Sequence, residues 1–143
     1  MADALDEKGT RGVAVISEMM GAEFGKTLES LATSDAFCSA IARMALDYSF
    51  ADSWGRPGLA RRDRSLVTLG VLIALRQSHE LKNHVKIGIA NGLKVSEIEE
   101  TLIHASSYVG FPCIASATTA AIEALREIGK APGEKTAEEQ GLL

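Results

Sequence analysis

An all-α fold is predicted for this chain, and three observations predict it. Apolar residues recur at three- and four-residue spacing in almost every segment. Glycine, proline and asparagine punctuate those segments at Trp54–Leu59, Asn91-Gly92 and Tyr108–Pro112. No run alternates apolar and polar residues as a half-buried strand does. A chain of 143 residues is long enough for one domain with a real hydrophobic core. The expected organisation is a helical domain over 12–129, an N-terminal tail over 1–11 and a flexible C-terminal tail over 130–143.

Gly12 to Gly21 carries Val13, Ile16, Met19 and Met20 at helical spacing. Ser34 and Asp35 read as an N-cap and an acidic first turn. The helix they open has Phe37, Ile41, Met44, Ala45 and Tyr48 as its apolar face. Gly55, Pro57 and Gly58 then end it within "WGRPGL". A helix from about Arg61 to Leu75 follows, apolar nearly all round after Arg64. Such a helix is buried on most sides, so in a chain this short another subunit is expected to cover part of it. The next helix runs from about Ser78 to the C-terminal signal Asn91-Gly92. "SEIE" (Ser96 to Glu99) has the form of a capping box and opens a helix with Ile98, Leu102, Ile103 and Ala105. After the break in "YVGFP", an alanine-rich helix runs from Cys113 to Gly129, and its small residues permit close helix–helix approach. Beyond Gly129 the chain is polar and poor in bulky apolar residues, the composition of a frayed tail.

Composition narrows the function. Hydrophobic residues at 46% and charged residues at 24% are ordinary for a globular protein. A net charge of -4 supplies no attraction to nucleic acid or to an anionic membrane. Arg61, Arg62 and Arg64 cluster, but Asp63 interrupts them. The start "MADALDEKGTRG" has neither the apolar nor the basic region of a signal peptide. The longest apolar run, Leu66 to Leu75, is about half of a bilayer span. Cys38 and Cys113 form no CxxC and no metal-ligand spacing. The expectation is a soluble, reduced, cytoplasmic protein without a metal.

Residues four apart on a helix share a face, which pairs Glu80 with His84 and His104 with Tyr108. His79 and His84, five apart, diverge, and the HExxH zinc pattern is missed by one residue. Each candidate also has a plainer reading. A Glu–His pair one turn apart is often a surface contact worth roughly 0.2–0.5 kcal/mol. His104 fits a hydrogen-bonded core histidine, Tyr108 a packing residue, Arg56 and Arg64 solvated cations, and Trp54 a staple on its turn. Cys113 fits a small core residue. Spacing leaves both readings open.

The segments "WGRPGLARRDRSLVTLGVLIAL" and "ELKNHVKIGIANGLKVSEIEETLIHASSYVGFP" resemble a known family. Trp-x-Arg-Pro-Gly-Leu, Arg-Ser-Leu-Val-Thr-Leu, Glu-Leu-x-x-His, Asn-Gly, Glu-Ile-x-Glu and His-x-x-x-Tyr-x-Gly-x-Pro follow in the order of the carboxymuconolactone decarboxylase family. "RGVAVISEMMG" also looks like the N-terminal segment of these decarboxylases. The resemblance implies an alkylhydroperoxidase D-like helical bundle assembled as a homotrimer or homohexamer. The peroxidases of that superfamily use CxxC followed by His. Gln77 and Glu80 stand at the cysteine positions here, with His84 at the histidine, so peroxidase chemistry lacks both its thiolate and its resolving thiol.

The decarboxylase branch implies cofactor-free loss of CO2 from 4-carboxymuconolactone, or a related carboxylated lactone, in aromatic-compound catabolism. It implies His84 for proton transfer or oxyanion stabilisation, with Glu80 orienting the imidazole or sharing the proton. Arg56 would clamp a substrate carboxylate, and Trp54, His104 and Tyr108 would wall the pocket and supply hydrogen bonds. Two stretches depart from the family. Phe50, Ala51 and Asp52 replace the usual Trp, Gly and Glu, so that Asp52 keeps a substrate-facing carboxylate one methylene shorter. Cys113, Ile114 and Ala115 replace Ala-Ala-Asn after Pro112. These changes point to a related but altered substrate. Two other readings stay open: a lactone isomerase or hydrolase using the same pair, and a non-catalytic helical oligomer that binds a small acid.

Overall fold

The computed structural model describes residues 3–142, which contain helices and turns and no strand. The single domain expected from length is organised as two compact units, one ending at Ala60 and the other beginning at Arg61.

The first unit contains α1 (Glu7–Met20), α2 (Ala22–Ala32), α3 (Ser39–Met44) and a π-helix (Ala45–Trp54). Its core is built from Val15, Ile16, Met19, Ala32, Ala42, Leu46 and Ala51. The start of α1 lies five residues before Gly12, inside the segment expected to be a tail. Asp6 provides the cap, accepting a hydrogen bond from the Gly9 N–H at 2.8 Å. A Cβ on Gly12 would sit 2.2 Å from the carbonyl oxygen of Leu46, so α1 approaches the π-helix backbone with no side chain between them.

The expected N-cap at Ser34 belongs instead to the end of α2. Its hydroxyl donates to the Leu31 carbonyl at 2.8 Å and accepts from the Ala36 N–H at 3.2 Å. α3 starts only at Ser39, after Cys38 in the left-handed conformation. The expected apolar face is turned to solvent: Phe37 is 96% exposed, and Ile41, Met44 and Tyr48 are exposed as well. Ala42 and Leu46 are buried in their place, on the side where glycine lets α1 approach the Leu46 backbone.

The second unit is α4 (Arg61–Ala74), α5 (Ser78–Ala90), α6 (Val95–Val109) and α7 (Phe111–Glu127). Leu69, Ile73, Leu81, Val85, Leu93 and Ile98 pack in one core with the small face of α7, made by Ala117, Ala120, Ala121 and Ala124, and with its Cys113 and Leu125. The Cys113 thiol is buried and donates to the Ile73 carbonyl at 2.9 Å, as a core residue. α4 buries only Ser65, Leu69 and Ile73, and Val67, Val71 and Leu75 remain exposed, so burial on most sides is not reached within one chain.

Gly92, with φ 100, ends α5 and lets the Leu93 N–H reach the Gly88 carbonyl at 2.9 Å. The cap of α6 is set two residues earlier than the Ser96–Glu99 pattern predicts. The side chain of Glu97, not Glu99, accepts from the Lys94 N–H at 2.9 Å, and Ser96 lies inside the first turn. Gly110 (φ 83) separates α6 from α7, and Pro112 stands in the first turn of α7.

The C-terminal segment differs from the frayed tail expected of its composition. Both Glu139 carboxylate oxygens accept from Arg126 of α7, at 2.9 and 2.8 Å. Glu139 also accepts from the Thr136 N–H, and Thr136 is 3% exposed. Its polar groups find protein partners, which is why low hydrophobicity does not leave the segment loose.

Candidate active site

α5 presents an inward stripe of Leu81, Val85 and Gly88, all buried. His84 lies at the edge of this stripe and is half-buried, with Nδ1 shut away from solvent. Glu80, one turn earlier, is exposed in the first turn, where the positive end of the helix dipole favours a carboxylate. The Asn83 side-chain amide approaches it at 3.5 Å. Burial pushes the imidazole of His84 below its ordinary pKa, and the negative charge of Glu80 opposes that shift. The imidazole is therefore mainly neutral near pH 7, able to accept a proton at one nitrogen and to donate a hydrogen bond from the other.

His104 and Tyr108 also meet, with ring centroids 5.4 Å apart and planes tilted by 53°. Both are exposed, Tyr108 by 79%, so His104 is not a core histidine. His104 borders a groove of about 420 Å³ that Leu66, Gly70, Thr101 and Ala105 also line. At its edge Glu97 accepts the Lys94 N–H and pairs with Arg62, contacts that hold its carboxyl below the usual range.

The other three candidates lie in the first unit. Asp52, within the π-helix, is ion-paired with Lys8 of α1. Trp54 closes the π-helix and is half-buried, and Arg56 is exposed in the turn that follows. π-helical turns are rare and often mark functional segments, and this one holds the "FADSW" stretch in which the sequence departs from the family. The structure thus brings Glu80 beside His84 and His104 onto Tyr108, and commits Asp52 to a contact within its own unit. Asn83 was not among the expected residues. Its helical spacing from Glu80, three residues, is the signal that could have found it. Among the described residues, no group of His, Cys, Asp and Glu could hold a metal ion.

Two characterised proteins and one family are similar to this chain. The chain is 34% identical over 129 residues to the 4-carboxymuconolactone decarboxylase of Acinetobacter baylyi, covering 89% of this chain and 93% of that protein. It is also 34% identical over 104 residues to the nitrosuccinic acid decarboxylase of Metarhizium robertsii, covering 72% of this chain and 71% of that one. Residues 39–123, which include every candidate above, match the carboxymuconolactone decarboxylase family model. With a family match over more than half its length and an all-helical fold, the chain belongs to the carboxymuconolactone decarboxylase family.

Proposed function

We propose that this protein, a carboxy-lyase as both relatives are, removes CO2 from 4-carboxymuconolactone or a related carboxylated lactone, with His84 and Glu80 as its acid–base pair. The observation that carries the reading is His84, half-buried at the edge of the apolar stripe of α5 with the charge of Glu80 one turn away. When the bond to the departing carboxylate breaks, its electron pair runs through the ring alkene to the lactone carbonyl oxygen. A proton must then arrive at carbon. His84 serves the developing oxyanion or that proton, and Glu80 orients the imidazole.

Nitrosuccinic acid and 4-carboxymuconolactone differ in shape but share a chemical pattern. In each, the carbon that loses CO2 is joined to an electron acceptor, a nitro group or an unsaturated lactone, and it also carries a –CH2–COO⁻ arm. The substrate class proposed for this chain has those three groups. Arg56 is the clamp for the retained carboxylate, since guanidinium matches carboxylate in two hydrogen bonds. His104 and Tyr108, which meet on α6, are the substrate-binding residues proposed for the second unit, and Trp54 and Asp52, the latter held by Lys8, those proposed for the first.

The test is to incubate the purified protein with 4-carboxymuconolactone and with nitrosuccinate and to follow both by mass spectrometry, with His84→Ala alongside. Release of CO2 that disappears in the variant is the expected result. Isomerisation would leave the mass unchanged and hydrolysis would add water, so either product overturns the decarboxylase assignment for that compound. Binding without turnover would favour the non-catalytic oligomer.

A further inference from the structure

Ser65 is a polar side chain in the interior of α4 and is 1% exposed. A serine within a helix commonly turns its hydroxyl back to the carbonyl one turn earlier. Here the Ser65 hydroxyl oxygen accepts a hydrogen bond from the side-chain amide of Asn91 at 3.0 Å, across 26 residues of sequence. Asn91 is the C-cap residue of α5. Ser65 stands near the start of α4 and Asn91 at the end of α5, so the two helices run antiparallel and are tied at one point along their axes.

That tie lies on the face of α5 that carries His84. Residues 84, 88 and 91 are spaced by four and three and fall on one side of the helix. Gly88, between the other two, faces Ser65: a Cβ built there would lie 3.8 Å from the Ser65 Cβ and 2.9 Å from Leu93 Cδ1. Leu93 is buried and its N–H closes onto the Gly88 carbonyl, so the C-terminal end of α5 is anchored. The opposite end packs on α7, through buried Leu81 and the pairing of Lys82 with Glu123 and Glu127, and among the described residues makes no such side-chain tie to α4. It follows Arg76 in the left-handed conformation, its N-cap Gln77 makes no side-chain capping bond, and Glu80 is exposed. A slip of one residue along the helix would move the imidazole by about 1.5 Å and turn it by roughly 100°.

We propose that the Ser65–Asn91 hydrogen bond is a positioning latch for His84, fixing the depth and rotation at which α5 presents the imidazole. Ser65 and Asn91 are positioning residues that act through His84. The catalytic part of the inference rests on the assignment of His84 above; the placement of the imidazole does not.

The experiment uses the full chain as wild type, Ser65→Ala, Asn91→Ala and the double variant. Two quantities are read in each: the NMR titration midpoint of the His84 imidazole, and kcat and KM for 4-carboxymuconolactone. With a latch, each single variant moves the midpoint upward toward the ordinary histidine value, since a displaced imidazole is better hydrated. It also lowers kcat by roughly tenfold to a hundredfold with KM little changed, in line with the cost of an ångström of misplacement. The double variant is then no worse than either single one, because both remove the same bond. An unmoved midpoint in variants that only melt earlier would overturn the latch and leave a structural hydrogen bond. A moved midpoint with unchanged kcat would keep the latch and overturn the catalytic role of His84. If Ser65→Ala does not fold, Asn91→Ala, at a half-buried helix end, carries the same two readings.

Discussion

His84 is held partly out of water, and that single circumstance sets its charge, its chemistry and its contribution to stability. In the unfolded chain its imidazole titrates near 6.5, and in the folded protein burial lowers that value. Between the two values the unfolded state binds more protons, so stability rises with pH across that interval and falls as the solution becomes more acid than about 6.5. Urea unfolding followed from about pH 5 to pH 7.5 is expected to show this slope, and His84→Gln to flatten it. Glu80→Gln removes the charge that raises the His84 pKa, so the NMR midpoint is expected to fall further in that variant. Activity is expected to fall by roughly a hundredfold or more in His84→Ala with the circular dichroism spectrum unchanged. Glu80 and His84 were legible as a pair because helical spacing alone puts them on one face. The burial of His84 was not, because it depends on what packs against α5.

The packing of whole elements explains two glycines of opposite character. Gly12 lets α1 reach the Leu46 carbonyl, and Gly12→Ala is expected to destabilise the protein by at least about 1–3 kcal/mol, since backbone must move to admit the methyl. Gly70 lies inside α4 with nothing within 4 Å of a built Cβ. Gly70→Ala is expected to stabilise by up to about 1 kcal/mol through the unfolded state and helix propensity. Thermal or urea denaturation of the two variants, read against each other, checks the contrast. The C-terminal segment acts as an element too. The Thr136 N–H and Arg126 hold the Glu139 carboxyl below the usual range, so its contribution is present above about pH 4.5 and is lost as the carboxylate protonates. Removal of residues 130–143 is expected to lower Tm.

On the scale of the whole molecule, much apolar surface is left open in each unit. Phe37, Ile41, Met44 and Tyr48 are exposed in the first unit, and Val67, Val71 and Leu75 along α4 in the second. Soluble monomers rarely expose contiguous apolar faces of any size. The state proposed is a homo-oligomer, a trimer or hexamer as the resemblance implies. Light scattering coupled to size exclusion is expected to give a multiple of 15.2 kDa, and Val71→Asp to reduce it. A monomeric wild type at micromolar concentration would exclude this assembly.

The sequence by itself determined the all-α class, the breaks at Trp54–Leu59, Asn91-Gly92 and Tyr108–Pro112, the family and the shared face of Glu80 and His84. These follow from terms that act within a helical turn: apolar periodicity, glycine and proline dihedrals, and i,i+4 proximity. Only the tertiary structure decided that Ala42 and Leu46, not the face of Phe37, Ile41, Met44 and Tyr48, are buried in the α3 and π-helix segment, where the close backbone approach at Gly12 faces α1. It also decided that Asp52 binds Lys8, that His104 lies at the surface and that the polar C-terminal segment docks on Arg126. The tie between Ser65 and Asn91 belongs with these. Burial and hydrogen bonding across tens of residues depend on which elements pack together, and no local pattern in the chain encodes that choice.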